Sequence, residues 1–188
     1  MHDGIKLEMA MQSAHLGLGM LISEQARKTP NQIALKDYER TFSYREFDKR
    51  TSQFAKFLLA QGIQRGDRVA VLSENSTEYV ELLVAGAKIG AIIACQNWRL
   101  AGPELAHCIS LVAPKILFTS ARHTEKAQVL QLSVKTYILD QSFGEKCELC
   151  SDAAPETVIA WGRSGLPCHQ APLATQVLPS PIQEATVH

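Results

Sequence analysis

Residues 68–95, RVAVLSENSTEYVELLVAGAKIGAIIAC, decide the fold class. The stretch opens on an apolar run of strand length and continues through Asn75 and Ser76, residue types that commonly cap the start of a helix. The residues from Thr77 to Lys88 then predict a helix. The apolar run from Ile89 to Cys95 does not alternate with polar residues, which is the pattern of a strand covered on both faces. The stretch therefore predicts strand, helix and strand.

The same unit recurs on the C-terminal side. Strand candidates begin at residues 68, 91, 115 and 136, a spacing of 21 to 24 residues. That spacing fits strand–helix–strand units that feed a parallel sheet. The strand candidates cover residues 68–72, 91–95, 115–118 and 136–139, and further helices are predicted over 103–112 and 122–130. The sequence therefore predicts a three-layer α/β fold, in which helices flank a largely parallel sheet.

The segment before residue 68 predicts a helix, a short hairpin and a second helix. The first helix covers Leu18–Lys28, and two short strands over 33–35 and 41–42 follow. Ser43 is a favourable N-cap for the second helix, and Glu46 completes a capping box. Helical periodicity predicts that one face of the second helix is buried and the other is in water. The buried face is Phe47, Phe54, Ala55 and Leu58, the exposed face is Arg45, Asp48, Lys49 and Lys56, and Gly62 ends the helix.

Composition excludes several classes of protein. The chain has 188 residues, 46% of them hydrophobic, which is enough for one domain with a buried core. Its 19 basic and 19 acidic residues balance, so no nucleic-acid partner is expected. No apolar run is long enough to span a membrane, and the N-terminus does not resemble a signal peptide. We therefore expect a cytoplasmic protein whose five cysteines are reduced.

The C-terminal residues differ in composition from the rest of the chain. Residues 151–188 contain five of the eight prolines and no lysine, and their apolar positions keep no steady period. We therefore expect three parts: a flexible N-terminus at 1–16, a partial domain at 17–146, and an irregular tail at 147–188.

Four short motifs occur in an order that points to a known family. They are TFSYREF at 41–47, QGIQRGDRVAVLSENS at 61–76, GAKIGAI at 86–92, and NWRL at 97–100, with Glu104 and Leu105 after it. The series resembles the N-terminal part of the adenylate-forming (AMP-binding) enzymes, above all the acyl-CoA synthetases, or acid–CoA ligases. The resemblance covers Leu18 to Asp140. It implies that the fold is an incomplete N-terminal portion of the large domain of those enzymes.

The resemblance also implies a reaction and its cofactors. The family uses ATP and magnesium to convert a carboxylic acid into an acyl-adenylate, and the thiol of coenzyme A then attacks the adenylate. The implied substrate is a small-molecule acid, with a fatty acid favoured. Most of the family's catalytic motifs have no counterpart in this sequence, so the chain is expected to be a truncated synthetase that is inactive alone. An incomplete sheet is also expected to expose an edge through which the chain self-associates.

The family's phosphate loop, of the form Ser-Gly-Thr-Thr-Gly-x-Pro-Lys, has a degenerate counterpart at residues 161–168, WGRSGLPC. By resemblance, Gly162, Ser164 and Gly165 are candidate cofactor-binding residues, because backbone N–H groups of such loops hold phosphates. Two family hydroxyls and the closing lysine are replaced by Trp161, Arg163 and Cys168. The alternative is a chance match within an irregular tail.

Asn97, Trp98 and Arg99 follow directly after a predicted strand. Open α/β sheets bind ligands at the carboxyl ends of their strands, so these three residues are predicted to shape a substrate entrance. In the alternative interpretation, Trp98 packs against the next helix and Arg99 is a surface charge or a helix cap.

The remaining cysteines and histidines of the domain have structural interpretations. Cys95 and Cys108 are predicted to be small core residues, one on a buried strand and one on a helix face. His107 and His123 are interpreted as ordinary histidines, because neither has an acidic or histidine partner at metal-ligand spacing.

Two alternatives from other functional classes stay open. One is a non-catalytic binding or regulatory module that pairs with another subunit. The other is a small zinc-dependent interaction domain, suggested by Cys147 and Cys150 with the adjacent pair Cys168 and His169. Adjacent ligands converge poorly on one ion, so no metal-binding residue is predicted.

Overall fold

The predicted alternation of strands and helices is confirmed in the computed structural model of the chain, which describes residues 17–143. The helices are α1 (Leu18–Lys28), α2 (Tyr44–Ala60), α3 (Thr77–Ile89), α4 (Gly102–Val112) and α5 (Thr124–Val129), and a 3-10 turn (Ala121–His123) precedes α5. The strands are β1 (Ile33–Lys36), β2 (Thr41–Ser43), β3 (Arg68–Leu72), β4 (Ile92–Cys95), β5 (Ile116–Thr119) and β6 (Lys135–Ile138). The segments 1–16 and 147–188 lie outside the described residues. None of the helices within 17–143 has the length and apolar character needed to cross a membrane.

Strands β3 to β6 form one parallel sheet in the order β4-β3-β5-β6. In the centre of this sheet, Ala70 of β3 pairs with Ala94 of β4 on one side and with Leu117 of β5 on the other. Strands β1 and β2 form a separate antiparallel hairpin. The crossovers between parallel strands place helices on both faces of the sheet, so the predicted three-layer α/β fold is confirmed.

The two sheet faces bury separate clusters because successive strand residues point to opposite faces. Val69, Val71 and Phe118 face α2 and α3 in a large first core. Ala70, Leu72 and Leu117 face α4 and α5 in a smaller second core. The first core contains a cluster of aromatic rings with centroids 5.0 to 6.4 Å apart, formed by Phe54, Phe57, Phe118, Tyr137 and Phe143.

Helix α2 begins and ends as predicted. The Ser43 hydroxyl accepts from the Glu46 backbone N–H, and the Glu46 carboxylate accepts from the Ser43 backbone N–H, which completes the capping box. Gly62, with φ of +79°, follows the helix in the left-handed region. The four apolar residues predicted to be buried, Phe47, Phe54, Ala55 and Leu58, are all buried.

Asp48 of α2 corrects the prediction for the polar face of that helix. Its carboxylate is only 27% exposed and accepts from Lys88 Nζ at 2.6 Å and from Ser23 Oγ at 2.6 Å. Lys56 is also half-buried, whereas Arg45 and Lys49 are exposed. Asp48 is partly buried because it neutralises the ammonium of Lys88. That ammonium is almost fully buried between α1, α2 and α3 and requires a counter-charge.

Strand β4 corrects the interpretation of the apolar run at 89–95. Ile89 ends α3, Gly90 turns the chain at φ of +71°, and β4 lies at the edge of the sheet. Ile92 is 53% exposed and Cys95 is exposed. Cys95 is predicted from the sequence to be a core residue, and that prediction is wrong, because its side chain is exposed at the last residue of an edge strand. Cys108 of α4 is half-buried.

Candidate functional site

The carboxyl ends of three neighbouring strands gather the polar and aromatic residues of the candidate site. Strands β4, β3 and β5 are parallel and adjacent, so the segments after Cys95, Leu72 and Thr119 emerge at one edge of the sheet. We call this edge the carboxyl edge and define its site by Glu74, Trp98, Arg99, Ser120 and His123. Its position is where open α/β sheets bind ligands.

The structure brings the three predicted entrance residues together in one tight turn after β4. The Asn97 side-chain oxygen accepts from the Arg99 backbone N–H at 3.1 Å, and the Asn97 carbonyl accepts from the Leu100 N–H at 3.2 Å. Lys126 of α5 donates its ammonium to the carbonyls of Trp98 and Leu100, at 2.7 and 2.5 Å. The turn is therefore held from within and by the neighbouring helix.

Trp98 fits parts of both interpretations made from the sequence. Its indole packs against the second core, whose members include Leu105 of α4, as the packing alternative predicts. The ring also carries polar contacts at the carboxyl edge. The Arg99 guanidinium lies 4.1 Å from the ring centroid, the Arg122 guanidinium lies 5.6 Å from it, and the His123 imidazole stacks on it at 5.2 Å with an interplanar angle of 23°. Trp98 thus links the hydrophobic core to a cationic surface.

His123 is not the ordinary histidine that its sequence neighbours suggested. It is buried, and its Nε2 lies 3.2 Å from Glu74 Oε2, although the two atoms are not aligned for a hydrogen bond. Ser120 donates its hydroxyl to the same Glu74 oxygen at 2.7 Å. The interpretation missed the pair because its two residues are far apart in sequence. The positions of Glu74 and His123 just after adjacent parallel strands were the signal that could have revealed it.

The carboxyl edge carries one carboxylate among several cations. Burial raises the pKa of Glu74, but the hydrogen bonds from Ser120 and the backbone and the nearby charges of His123 and Arg122 outweigh it, so the pKa lies below its ordinary value. Glu74 is therefore ionised at neutral pH. Arg99, Arg122 and Lys126 outnumber it, and the edge suits an anionic group.

A metal ion has no evident place among the described residues. Within 17–143, no three His, Cys, Asp or Glu side chains are grouped so that they could hold a metal. The candidate phosphate-loop residues Gly162, Ser164 and Gly165, and the cysteines considered for zinc, lie outside the described residues.

Comparison with known proteins identifies the family. The model of the AMP-binding enzyme family matches residues 22–179, which is most of the chain. The chain belongs to the AMP-binding enzyme family. The match confirms the resemblance drawn from the four motifs, and it extends beyond the described residues across the positions of Gly162, Ser164 and Gly165.

Curated proteins that resemble this chain include fatty-acid and acyl-CoA ligases. The chain is 31% identical over 142 residues to fatty acid–[acyl-carrier-protein] ligase ScoC of Streptomyces coeruleorubidus, an alignment that covers 76% of this chain and 24% of the relative. It is 33% identical over 114 residues to feruloyl-CoA synthase of an Amycolatopsis species, covering 61% of this chain and 23% of the relative. The chain therefore spans about a quarter of the length of the curated relatives it matches.

Solved structures of AMP-binding enzymes share the fold. The N-terminal domain of FACL13 from Mycobacterium tuberculosis superposes with a TM-score of 0.69 at 26% identity, covering 74% of this chain and 38% of that one. A putative long-chain-fatty-acid CoA ligase from Rhodopseudomonas palustris superposes with a TM-score of 0.64 at 29% identity, covering 66% of this chain and 33% of that one. The sheet and its flanking helices are thus those of the N-terminal region of adenylate-forming enzymes.

Proposed function

We propose that this chain supplies the N-terminal part of an ATP-dependent acid–thiol ligase, which converts a carboxylic acid to an acyl-adenylate and then to acyl-CoA. The observation that carries the proposal is the family match over residues 22–179, together with relatives that are fatty-acid and feruloyl ligases. Within this proposal a fatty acid is the favoured substrate and the cytoplasm is the expected location.

The carboxyl-edge residues have the chemistry of a substrate entrance. Asn97 and Arg99 are exposed, and Trp98 is half-buried beside them. Arg99 and Arg122 place two guanidinium groups at one aromatic ring. A carboxylic acid, ATP and coenzyme A are all anionic, so a cationic and aromatic rim attracts each of them toward the sheet edge. We therefore assign Asn97, Trp98 and Arg99 to the entrance.

The implied cofactors fit the described residues unequally. The cations of the carboxyl edge fit the phosphates of ATP, which would supply the energy of the reaction. They also fit the phosphates of coenzyme A, which would supply the acceptor thiol. The described residues offer no acidic cluster for magnesium, and we derive no step through a metal. Gly162, Ser164 and Gly165 are proposed to contribute backbone N–H groups to a phosphate site.

The 188-residue chain alone is expected not to release pyrophosphate from ATP. Charge on departing pyrophosphate must be shared by preorganised donors, and loss of one such donor typically costs about 3 kcal/mol, or roughly a hundredfold in rate. The position of the family's loop lysine is Cys168 in this sequence. The check is a pyrophosphate-release assay with magnesium and acids of short, medium and long chain. Acid-dependent release above a protein-free blank would contradict the expectation.

A domain graft tests the proposed function more directly. Residues 17–143 replace the matching segment of feruloyl-CoA synthase and, in parallel, of the putative long-chain-fatty-acid CoA ligase from Rhodopseudomonas palustris. We expect a graft that folds, judged by circular dichroism and gel filtration, to retain acid-dependent formation of acyl-CoA.

The graft also tests the entrance. Arg99→Met in the graft should raise KM for an anionic substrate, because it removes the guanidinium and keeps an unbranched apolar stem. Tyr38→Phe, at a fully exposed residue of the hairpin turn, is the matched control and should leave KM unchanged. Folded grafts of both hosts that show no ligase activity would overturn the proposal.

A further inference from the structure

His123 forms a buried platform for Trp98. It lies in the 3-10 turn directly after β5, where its backbone N–H donates to the Ser120 carbonyl at 3.0 Å. The residue is only 7% exposed, and its ring is nearly parallel to the indole of Trp98. The imidazole therefore contacts the aromatic residue of the proposed entrance from inside the protein.

The polar side of the His123 ring faces a carboxylate. Nε2 is buried without an aligned hydrogen-bond partner, and Glu74 Oε2 lies 3.2 Å away. A buried ring nitrogen without a hydrogen bond is uncommon, because burial without a partner is unfavourable. Glu74 is in turn held by the Ser120 hydroxyl. An apolar residue at position 123 would fill the same space without this arrangement, so packing alone does not account for it.

The indole that His123 covers also carries two cations. The guanidinium of Arg99, from the turn after β4, lies 4.1 Å from the ring centroid of Trp98, and that of Arg122 lies 5.6 Å from it. The orientation of the indole therefore decides where the Arg99 guanidinium lies.

We propose that His123 is a positioning residue, which fixes the indole of Trp98 and through it the guanidinium of Arg99 at the carboxyl edge. The contact itself is a property of the folded chain. Its consequence for ligand entry rests on the proposed function.

Tryptophan fluorescence of the 188-residue chain tests this proposal. Trp98 and Trp161 are its two tryptophans, so Trp161→Phe leaves Trp98 as the single reporter. In this background we expect Trp98 emission to be poorly accessible to acrylamide, because the His123 ring covers one face of the indole.

Substitutions on the Trp161→Phe background identify the residue that protects Trp98. His123→Gln should make Trp98 emission more accessible to acrylamide, because it removes the stacked ring. His123→Phe should keep Trp98 protected, because an aromatic ring is retained. His107→Gln, at an exposed residue of α4, is the control and should leave the quenching unchanged.

Each outcome bears on the proposal. Full accessibility of Trp98 in the Trp161→Phe chain, or unchanged quenching in His123→Gln, would overturn it. If His123→Gln fails to fold, His123→Leu, which fills the space without a planar ring, provides the same test. The readout needs no catalysis, so an inactive graft would overturn the proposed function and leave the quenching result in place. An active graft combined with unchanged quenching in His123→Gln would overturn the positioning role alone.

Discussion

The two faces of the parallel sheet bury different kinds of side chain. The face toward α2 and α3 carries the aromatic cluster around Phe118, which is fully buried. The face toward α4 and α5 carries Ala70, Leu72 and Leu117, and it continues at the carboxyl edge into the half-buried Trp98. The aromatic cluster of the first face is buried, whereas the core of the second face extends to a residue that is partly in contact with solvent.

This difference indicates that the two faces have different roles in stability and in ligand binding. Buried aromatic rings contribute a large area of contact and cannot be removed without leaving a cavity. Loops at the carboxyl ends of strands can change without disturbing those rings. We infer that the first face holds most of the stability of the fold and that the carboxyl end of the second face holds the site.

The largest expected effect is on the first face. Phe118 contacts the rings of Phe54, Tyr137 and Phe143 at centroid distances of 5.4 to 5.5 Å. Phe118→Ala should lower the free energy of unfolding by about 3–5 kcal/mol, because it leaves a cavity among rings that cannot collapse freely. Urea unfolding followed by circular dichroism measures this. Tyr38→Ala, at a fully exposed side chain, is the control. A loss below about 1 kcal/mol in Phe118→Ala would contradict the comparison.

An intermediate effect is expected at the buried ion pair beside the first core. Burial lowers the pKa of Lys88, and the Asp48 carboxylate partly restores it. Asp48→Asn should lower the free energy of unfolding by roughly 1–3 kcal/mol at neutral pH, because it leaves a buried ammonium without a counter-charge. Urea unfolding at neutral pH measures this loss.

The same pair should make stability depend on pH. A folded-state pKa below the unfolded value means that the unfolded chain binds more protons, so stability rises with pH up to about 10. The rise in the free energy of unfolding should be larger in Asp48→Asn than in the natural chain. The difference in stability between the two proteins should therefore become smaller as pH increases. Glu24→Gln, at a half-buried carboxylate of α1 that does not contact Lys88, should not alter the pH profile in this range. A deficit in Asp48→Asn that is independent of pH would count against an uncompensated charge on Lys88.

The smallest effect on stability is expected at the exposed sheet edge. Ile92 of β4 is 53% exposed on an edge strand, and an apolar edge strand can pair with a second copy. Ile92→Lys should change the free energy of unfolding by no more than about 0.5 kcal/mol. It should also reduce self-association, measured by sedimentation over a range of concentrations. A natural chain that is monomeric throughout, or self-association equal in both proteins, would contradict a role for this edge.

Local sequence patterns were sufficient for most of the fold. The capping box at Ser43 and Glu46 and the regular spacing of strands depend on residues that are near in sequence, and both were correctly predicted. The apolar run at 89–95 was misread because composition does not reveal whether a parallel strand is central or at an edge. Asp48 was misplaced because its partner Lys88 lies on another helix, 40 residues away.

The candidate site was only partly predictable for a related reason. Asn97, Trp98 and Arg99 are consecutive and follow a strand, so their shared turn could be expected. Glu74 and His123 meet only because β3 and β5 are neighbours in the sheet, and strand order is a property of tertiary structure. The contact between Glu74 and His123 therefore depends on strand order, which local sequence patterns do not reveal.

One paired measurement tests the division between the two faces most directly. In a folded ligase graft, the urea midpoint and kcat/KM are measured for Phe118→Leu and Trp98→Leu. Phe118→Leu should lower the free energy of unfolding by roughly 1–2 kcal/mol and leave kcat/KM unchanged well below the unfolding temperature. Trp98→Leu should lower kcat/KM by about tenfold or more, equivalent to about 1.4 kcal/mol, with a smaller loss of stability than Phe118→Leu. Unchanged kcat/KM in Trp98→Leu, or a larger loss of kcat/KM in Phe118→Leu, would contradict the assignment of the site to the carboxyl edge.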